Sequence, residues 1–332
     1  MLARDPSPLY PLRFQPVLKD YVWGGRELAR LGRVLPDGPI AESWEISDHP
    51  HGQTVVEGGA LDGATLGDLV ASHGPALVGD RNARALERGR FPLLIKLLDA
   101  REWLSVQVHP SDRQAGEHAG DLGKTEMWIV LGAEPDAEII LGFAKPTSRR
   151  EFKAALEAGE LEALLHRVPA RAGDVFFVPA GTLHAIGPGL LLAEIQQTSD
   201  VTYRVHDWGR DGPSRELHVD EALEVIDFSI VRPGAVEPVG VEESPTEREL
   251  LASCPYFRTE RVRLHGSAYR GRCDHSTFEI WALFTGSAEL SSSAGEVSLE
   301  PVSWLLLPAD LGNFEVRSGT DAELVRVLTP RP

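Results

Sequence analysis

Four polar side chains in this 332-residue chain have the types and settings needed to hold a divalent metal ion. Gln107 and His109 lie in "LSVQVHPSD" (104–112), Glu126 in "GKTEMW" (123–128) and His184 at the end of "GDVFFVPAGTLH" (173–184). Two imidazoles, a carboxylate and an amide oxygen suit Zn²⁺, although Fe, Mn and Co accept similar sets. Such an ion is a Lewis acid that polarises carbonyl oxygens without changing oxidation state. Gln107 is the weakest donor, since a neutral amide can instead orient a water.

The elements that must position these groups are strands. Leu104, Val106 and Val108 alternate with Ser105, Gln107 and His109, which predicts one apolar and one polar face. The same period puts Lys124, Glu126 and Trp128 on one face. A third strand, Asp174 to Val178, ends at Pro179 and Gly181, whose turn aims His184 back across a barrel mouth. If these strands line one barrel, the four donors converge. The spacing from Gly173 through Pro179 and Gly181 to His184 resembles the second signature of the cupin superfamily.

Many short strand-like runs separated by Gly and Pro predict a mainly β chain of two cupin-like β-barrels, or jelly rolls, with a few inserted helices. The expected division is a catalytic cupin-like domain over 1–230, with helical insertions at about 61–90 and 148–166, a linker or crossing segment over 231–253, and a degenerate cupin-like domain over 254–332. A further short helix is expected at 219–228. The two halves align: "KTEMWIVL" over "TFEIWALF" places Glu126 on Glu279 and Trp128 on Trp281, and "FFVPAGTLHA" over "LLLPADLGNF" places Pro179 on Pro308 and His184 on Asn313. His275 and Glu279 keep part of a ligand pattern, but Asn313 stands where the second histidine would be. The C-terminal barrel therefore reads as a structural or oligomer-forming module.

Taken together, "LSVQVHPSD", "GKTEMWIVL", the run from "GDVFFVPAGTLHAIGPG" to "VTYRVHDWGR", and "VWGG…AESWEISDHP" resemble type I mannose-6-phosphate isomerases (phosphomannose isomerases) in their shorter bacterial form. The resemblance implies a zinc-dependent aldose–ketose isomerase that interconverts mannose 6-phosphate and fructose 6-phosphate through an enediolate. Carried over position by position, it implies one zinc per chain on Gln107, His109, Glu126 and His184, a catalytic arginine at Arg204 and a pocket lysine at Lys124. The expected substrate-binding residues are Lys124, Arg204, Ser105 and Lys96, with Arg210 nearby; for Lys96 and Arg210 a structural ion pair is an equal alternative. Lys124, Glu194, His206 and a metal-bound hydroxide are all candidates for the base. Similar ligands would serve a two-barrel Fe(II) dioxygenase, and a non-catalytic sugar-binding relative would keep the same fold.

Bulk properties narrow the partners. A formal charge of −17 excludes a broad electrostatic grip on nucleic acid or an anionic membrane, so an anionic substrate must meet a local basic cluster. No apolar run approaches the roughly 18–20 residues that span a bilayer. With two cysteines, Cys254 and Cys273, expected to be buried structural thiols, and with no secretory leader pattern, a cytoplasmic monomer or homodimer is expected. His49, His51, His73, His118 and His166 fall in turn-like or exposed segments and are assigned no role, and Trp23 and "AESWEISDHP" are expected to serve packing.

Overall fold

The computed structural model describes residues 8–118, 122–210, 215–241 and 246–331. It divides into two compact units, Leu18–Ser43 with Lys96–Val236, and Met1–Val17 with Trp44–Ile95 and Glu237–Pro332. The strands that position the site are β1 (Val17–Lys19), β2 (Glu42–Ile46), β3 (Leu93–Ala100), β4 (Val106–Val108), β5 (Glu126–Ala133), β6 (Glu138–Phe143), β7 (Leu165–Pro169), β8 (Val175–Val178), β9 (His184–Ile186), β10 (Leu190–Gln197) and β11 (Tyr203–His206). They form a six-stranded sheet in the order β8-β5-β10-β3-β2-β1 and a five-stranded sheet in the order β7-β6-β9-β4-β11. Helices α1 (Leu66–His73), α2 (Asp112–His118), α3 (Arg149–Ala158) and α4 (Val219–Val225) are short insertions.

Alternation along the strands explains the layering. Trp128, Val130, Leu141, Phe176, Val178, Ile186 and Leu192 point between the two sheets and form one buried cluster. Neighbouring positions on the five-stranded sheet, Val106, Val108, Ile140, Ala185 and Val205, point the other way and pack against Phe152, Leu161, Ala222 and Leu223. The sheet thus has two apolar faces, and α3 and α4 cover the outer one. Helix α3 begins at a capping box, in which the Ser148 hydroxyl accepts from the Glu151 amide and the Glu151 carboxylate accepts from the Ser148 amide, and it stops at Gly159 with φ 72°. Phe152 is its fully buried anchor, edge-on to Phe143. Phe152→Ala is expected to cost about 3–5 kcal/mol, read as a lowered urea midpoint at unchanged m-value.

The other unit contains β12 (Val239–Gly240), β13 (Glu247–Ser253), β14 (Arg258–His265), β15 (Ala268–Cys273), β16 (Glu279–Thr285), β17 (Ala288–Ser292), β18 (Gly295–Leu299), β19 (Trp304–Leu307), β20 (Gly312–Arg317) and β21 (Asp321–Leu328). These make sheets of order β12-β13-β14-β21-β16-β19 and β15-β20-β17-β18 around a core containing Trp281, Leu305 and Leu324. Pairing repeats that of the first unit. Glu126 lies opposite Val178 and Gln196, and Trp128 opposite Phe176 and Glu194; Glu279 lies opposite Leu307 and Leu328, and Trp281 opposite Leu305 and Arg326. The alignment of the two halves in sequence is therefore also an alignment of register.

Four departures from the sequence expectation are seen. The stretch 231–253 is not simply a linker, because β13 pairs along β14; its outward residues are charged and half exposed, as befits a strand near a sheet edge, and this hid its period. Residues 44–95 group with the C-terminal strands instead of the site-bearing unit. Main-chain bonds hold them there, from Ala309 N–H to Leu77 O at 3.0 Å and from Asp80 N–H to His275 O at 3.0 Å. His49 is buried on a two-residue strand with Asp48, and Cys254 is half-buried while Cys273 is buried. Among the described residues no helix is long and apolar enough to cross a membrane.

Candidate metal centre

The donors are brought together by register. In the five-stranded sheet Leu141, His184, Gln107 and Arg204 stand opposite one another in one row across β6, β9, β4 and β11. His109 follows β4 by one residue, and its carbonyl accepts from the Gly181 amide at 2.8 Å, which ties it to the turn before His184. In the facing sheet Glu126 and Trp128 occupy successive inward positions of β5.

Across the gap His184 Nε2 is 3.4 Å and His109 Nε2 3.6 Å from the two oxygens of Glu126, and the imidazole centroids are 4.8 Å apart. All three side chains are buried, and they form a possible metal-binding group whose ligand atoms lie within 4.8 Å of one another. His109 Nδ1 lies 2.8 Å from the Val201 carbonyl and His184 Nδ1 2.9 Å from that of Thr182. A carbonyl can only accept, so each Nδ1 carries the proton and each Nε2 turns a lone pair inward. Gln107 Nε2 is 3.3 Å from His184 Nε2, and its Oε1 accepts from the Ser105 hydroxyl at 3.1 Å.

A network of charges surrounds this group. Lys124 Nζ lies 2.6 Å from Glu126, 3.1 Å from His109 Nε2 and 4.0 Å from Glu194. Lys96 Nζ lies 3.4 Å from Glu42 and 3.4 Å from Glu194, whose other oxygen accepts from the Trp128 indole at 3.0 Å. Burial pushes His184 down to about 4 and His109 well below its usual range, where Lys124 adds to the effect, so both rings are neutral donors. Burial raises Glu126 to about 7 against the pull of Lys124, whereas Lys124 and Lys96 together outweigh burial at Glu194 and hold it below the usual carboxylate range. A buried carboxylate raised this far is one that a second cation would stabilise.

Beside the row lies a guanidinium cluster. Arg204 donates from Nη1 to the Glu216 carbonyl at 3.0 Å, and its Nε is buried without a hydrogen-bond partner among the described residues. Arg210 is held by Asp207 at 2.9 Å and by the Trp103 carbonyl at 2.6 Å, and Arg215 also pairs with Asp207. Burial, then the nearby charge of Arg215, lowers the pKa of Arg204.

The model of the phosphomannose isomerase type I catalytic domain matches residues 11–132. Mannose-6-phosphate isomerase ManA of Bacillus subtilis is 40% identical over 92% of this chain and 95% of its own length. The mannose-6-phosphate isomerase of Streptococcus mutans is 36% identical over 92% of this chain and 94% of its own. The chain belongs to the type I phosphomannose isomerases. A solved mannose 6-phosphate isomerase from Bacillus subtilis superposes with a TM-score of 0.85 at 33% identity, covering 96% of this chain and 99% of that one. The mainly β, cupin-like architecture is thus that of a type I phosphomannose isomerase.

In this phosphomannose isomerase the predicted residues separate by position. Gln107, His109, Glu126, His184 and Lys124 meet, and Arg204 adjoins them through Gln107. Ser105 is buried and holds the Gln107 amide, Lys96 is enclosed by carboxylates, and Arg210 is anchored by Asp207. Glu42, read from sequence as packing, proves to be a partner of Lys96. Arg215 went unnoticed, because its only signal is its pairing with an aspartate eight residues earlier.

Proposed function

We propose that this chain is a zinc-dependent isomerase of mannose 6-phosphate and fructose 6-phosphate, with Gln107, His109, Glu126 and His184 holding the ion. The observation that carries the reading is the buried His109–Glu126–His184 group, two inward Nε2 lone pairs facing one carboxylate, with Arg204 in the same row. This donor set fits Zn²⁺, which when bound supplies Lewis acidity toward the sugar carbonyl.

The remaining work falls to the chain. Moving a carbonyl from C1 to C2 takes a proton from C2 and gives one to C1, passes the hydroxyl proton of O2 to O1, and needs no external oxidant or reductant. Negative charge develops on the two adjacent oxygens in between. Arg204 offers the planar donors that stabilise it, and Lys124 Nζ donates a hydrogen bond to a substrate oxygen. Arg210 and Arg215 are held beside Arg204 by Asp207 and supply positive charge for the phosphate. Ser105 orients the Gln107 amide, and Lys96 keeps Glu194 ionised. A diffusible sugar phosphate and the scarcity of cysteine fit a cytoplasmic place of action.

Zinc-loaded protein incubated with mannose 6-phosphate is expected to form fructose 6-phosphate, followed by ³¹P NMR to equilibrium from either side. Absence of product from both directions with a full equivalent of zinc bound would overturn the reading.

A further inference from the structure

The C-terminal barrel has a polar mouth of its own, built on the same register but with the charges changed. Glu279 stands where β5 carries Glu126, and Arg326 stands where β10 carries Glu194. Arg326 donates to both carboxylate oxygens of Glu279, from Nε at 2.7 Å to one of them, and it lies over Tyr269 at 5.4 Å. It also reaches Glu260 at 3.3 Å. The carboxylate that would begin a metal site is therefore occupied by a permanent cation, and His275 is turned outward to Asp310.

Above this pair opens a cavity of about 540 Å³ whose wall carries Arg81, Arg248, Arg258, Arg272, Arg326 and Arg331. The acids on the same wall are Glu279 and Asp274, with Glu260 beneath pairing Arg248, Arg258 and Arg326. Among the described residues six guanidinium groups thus face three carboxylates, in a chain whose overall charge is −17. Every cation is arginine, the side chain whose planar fork matches an oxyanion. Arg272 and Arg331 are exposed at the rim, so part of the positive charge meets the solvent. Burial, and then the charge of Arg331, depresses the pKa of Arg81 against the pull of Asp274.

We propose that this cavity is a second, non-catalytic site for a small organic phosphate carrying at least two negative charges. The volume falls within the range of small-molecule sites, and local field and guanidinium geometry select phosphoryl oxygens over neutral sugars. The assignment is independent of the isomerase reading, since it uses none of the residues around His109 and His184.

Inorganic pyrophosphate is the probe, titrated calorimetrically into full-length Arg204→Ala protein so that the catalytic cation cluster contributes less. One pyrophosphate per chain is expected, with an affinity that falls as salt rises. Adding Arg81→Ala and Arg331→Ala should weaken it by at least about tenfold, the scale of one lost charge-assisted hydrogen bond, and lysine at both positions should recover part of the loss. Arg272→Ala, at an exposed position where folding is not at stake, gives a second reading in the same direction. No binding to the Arg204→Ala protein, or equal affinity in all the arginine variants, would overturn the site.

Discussion

Glu126→Gln is expected to abolish metal retention, leaving less than about a tenth of an equivalent of zinc after dialysis, and to lower turnover by roughly 10²–10³-fold, the scale of several kcal/mol of lost charge stabilisation. Glutamine preserves the shape of the side chain but removes the only carboxylate, among the described residues, within reach of both His109 Nε2 and His184 Nε2. The two imidazoles are neutral, so Glu126 supplies the negative charge of the donor set. Its loss also strips Lys124 of its 2.6 Å partner, which leaves a buried ammonium to repel an incoming cation. Zinc content by atomic emission, with circular dichroism to verify the fold, decides the matter. A full equivalent retained in Glu126→Gln would refute the ligand assignment whatever the activity.

Arg204→Ala is expected to act on catalysis while sparing the ion. Among the described residues its Nε is buried without a hydrogen-bond partner and its Nη1 donates to the Glu216 main-chain carbonyl, and it adjoins Gln107 in the sheet. A donor so placed is worth about 10²–10³ in kcat when it meets an oxyanion in the transition state. Zinc should remain at one equivalent. A fall confined to kcat assigns Arg204 to the enediolate, whereas a rise confined to KM assigns it to the phosphate. Arg204→Lys should recover little, because an ammonium lacks the planar pair of donors. Unchanged kcat and KM in Arg204→Ala would remove this residue from the mechanism.

How much of this was legible in the sequence follows from the range of each signal. Alternation is local, so the polar faces bearing Gln107, Glu126 and His184 could be read directly, and the Gly-Pro spacing announced the turn before His184. Repetition carried the register of Glu279 and Trp281, because both barrels keep the same residues at the same pairing positions. Pairing between distant strands leaves no local trace. Nothing near Glu42 says that β2 brings it 3.4 Å from Lys96, and nothing near Arg81 says that it shares a wall with Arg258 and Arg331. The strand Glu247–Ser253 was obscured for a different reason, since half-exposed charges near a sheet edge erase the apolar period.

The peptide of Gly181 joins three parts of the site-bearing unit: its amide donates to the His109 carbonyl at 2.8 Å, its own carbonyl accepts from the Asp227 amide at 2.9 Å, and its φ of 87° sets the bend leading to His184. The separation of the two imidazoles is consequently a property of the main chain. Chelation entropy is spent while the polypeptide collapses, so ion capture meets donors already ranked in place, and loading resembles docking into a rigid socket more than the closing of a flexible claw.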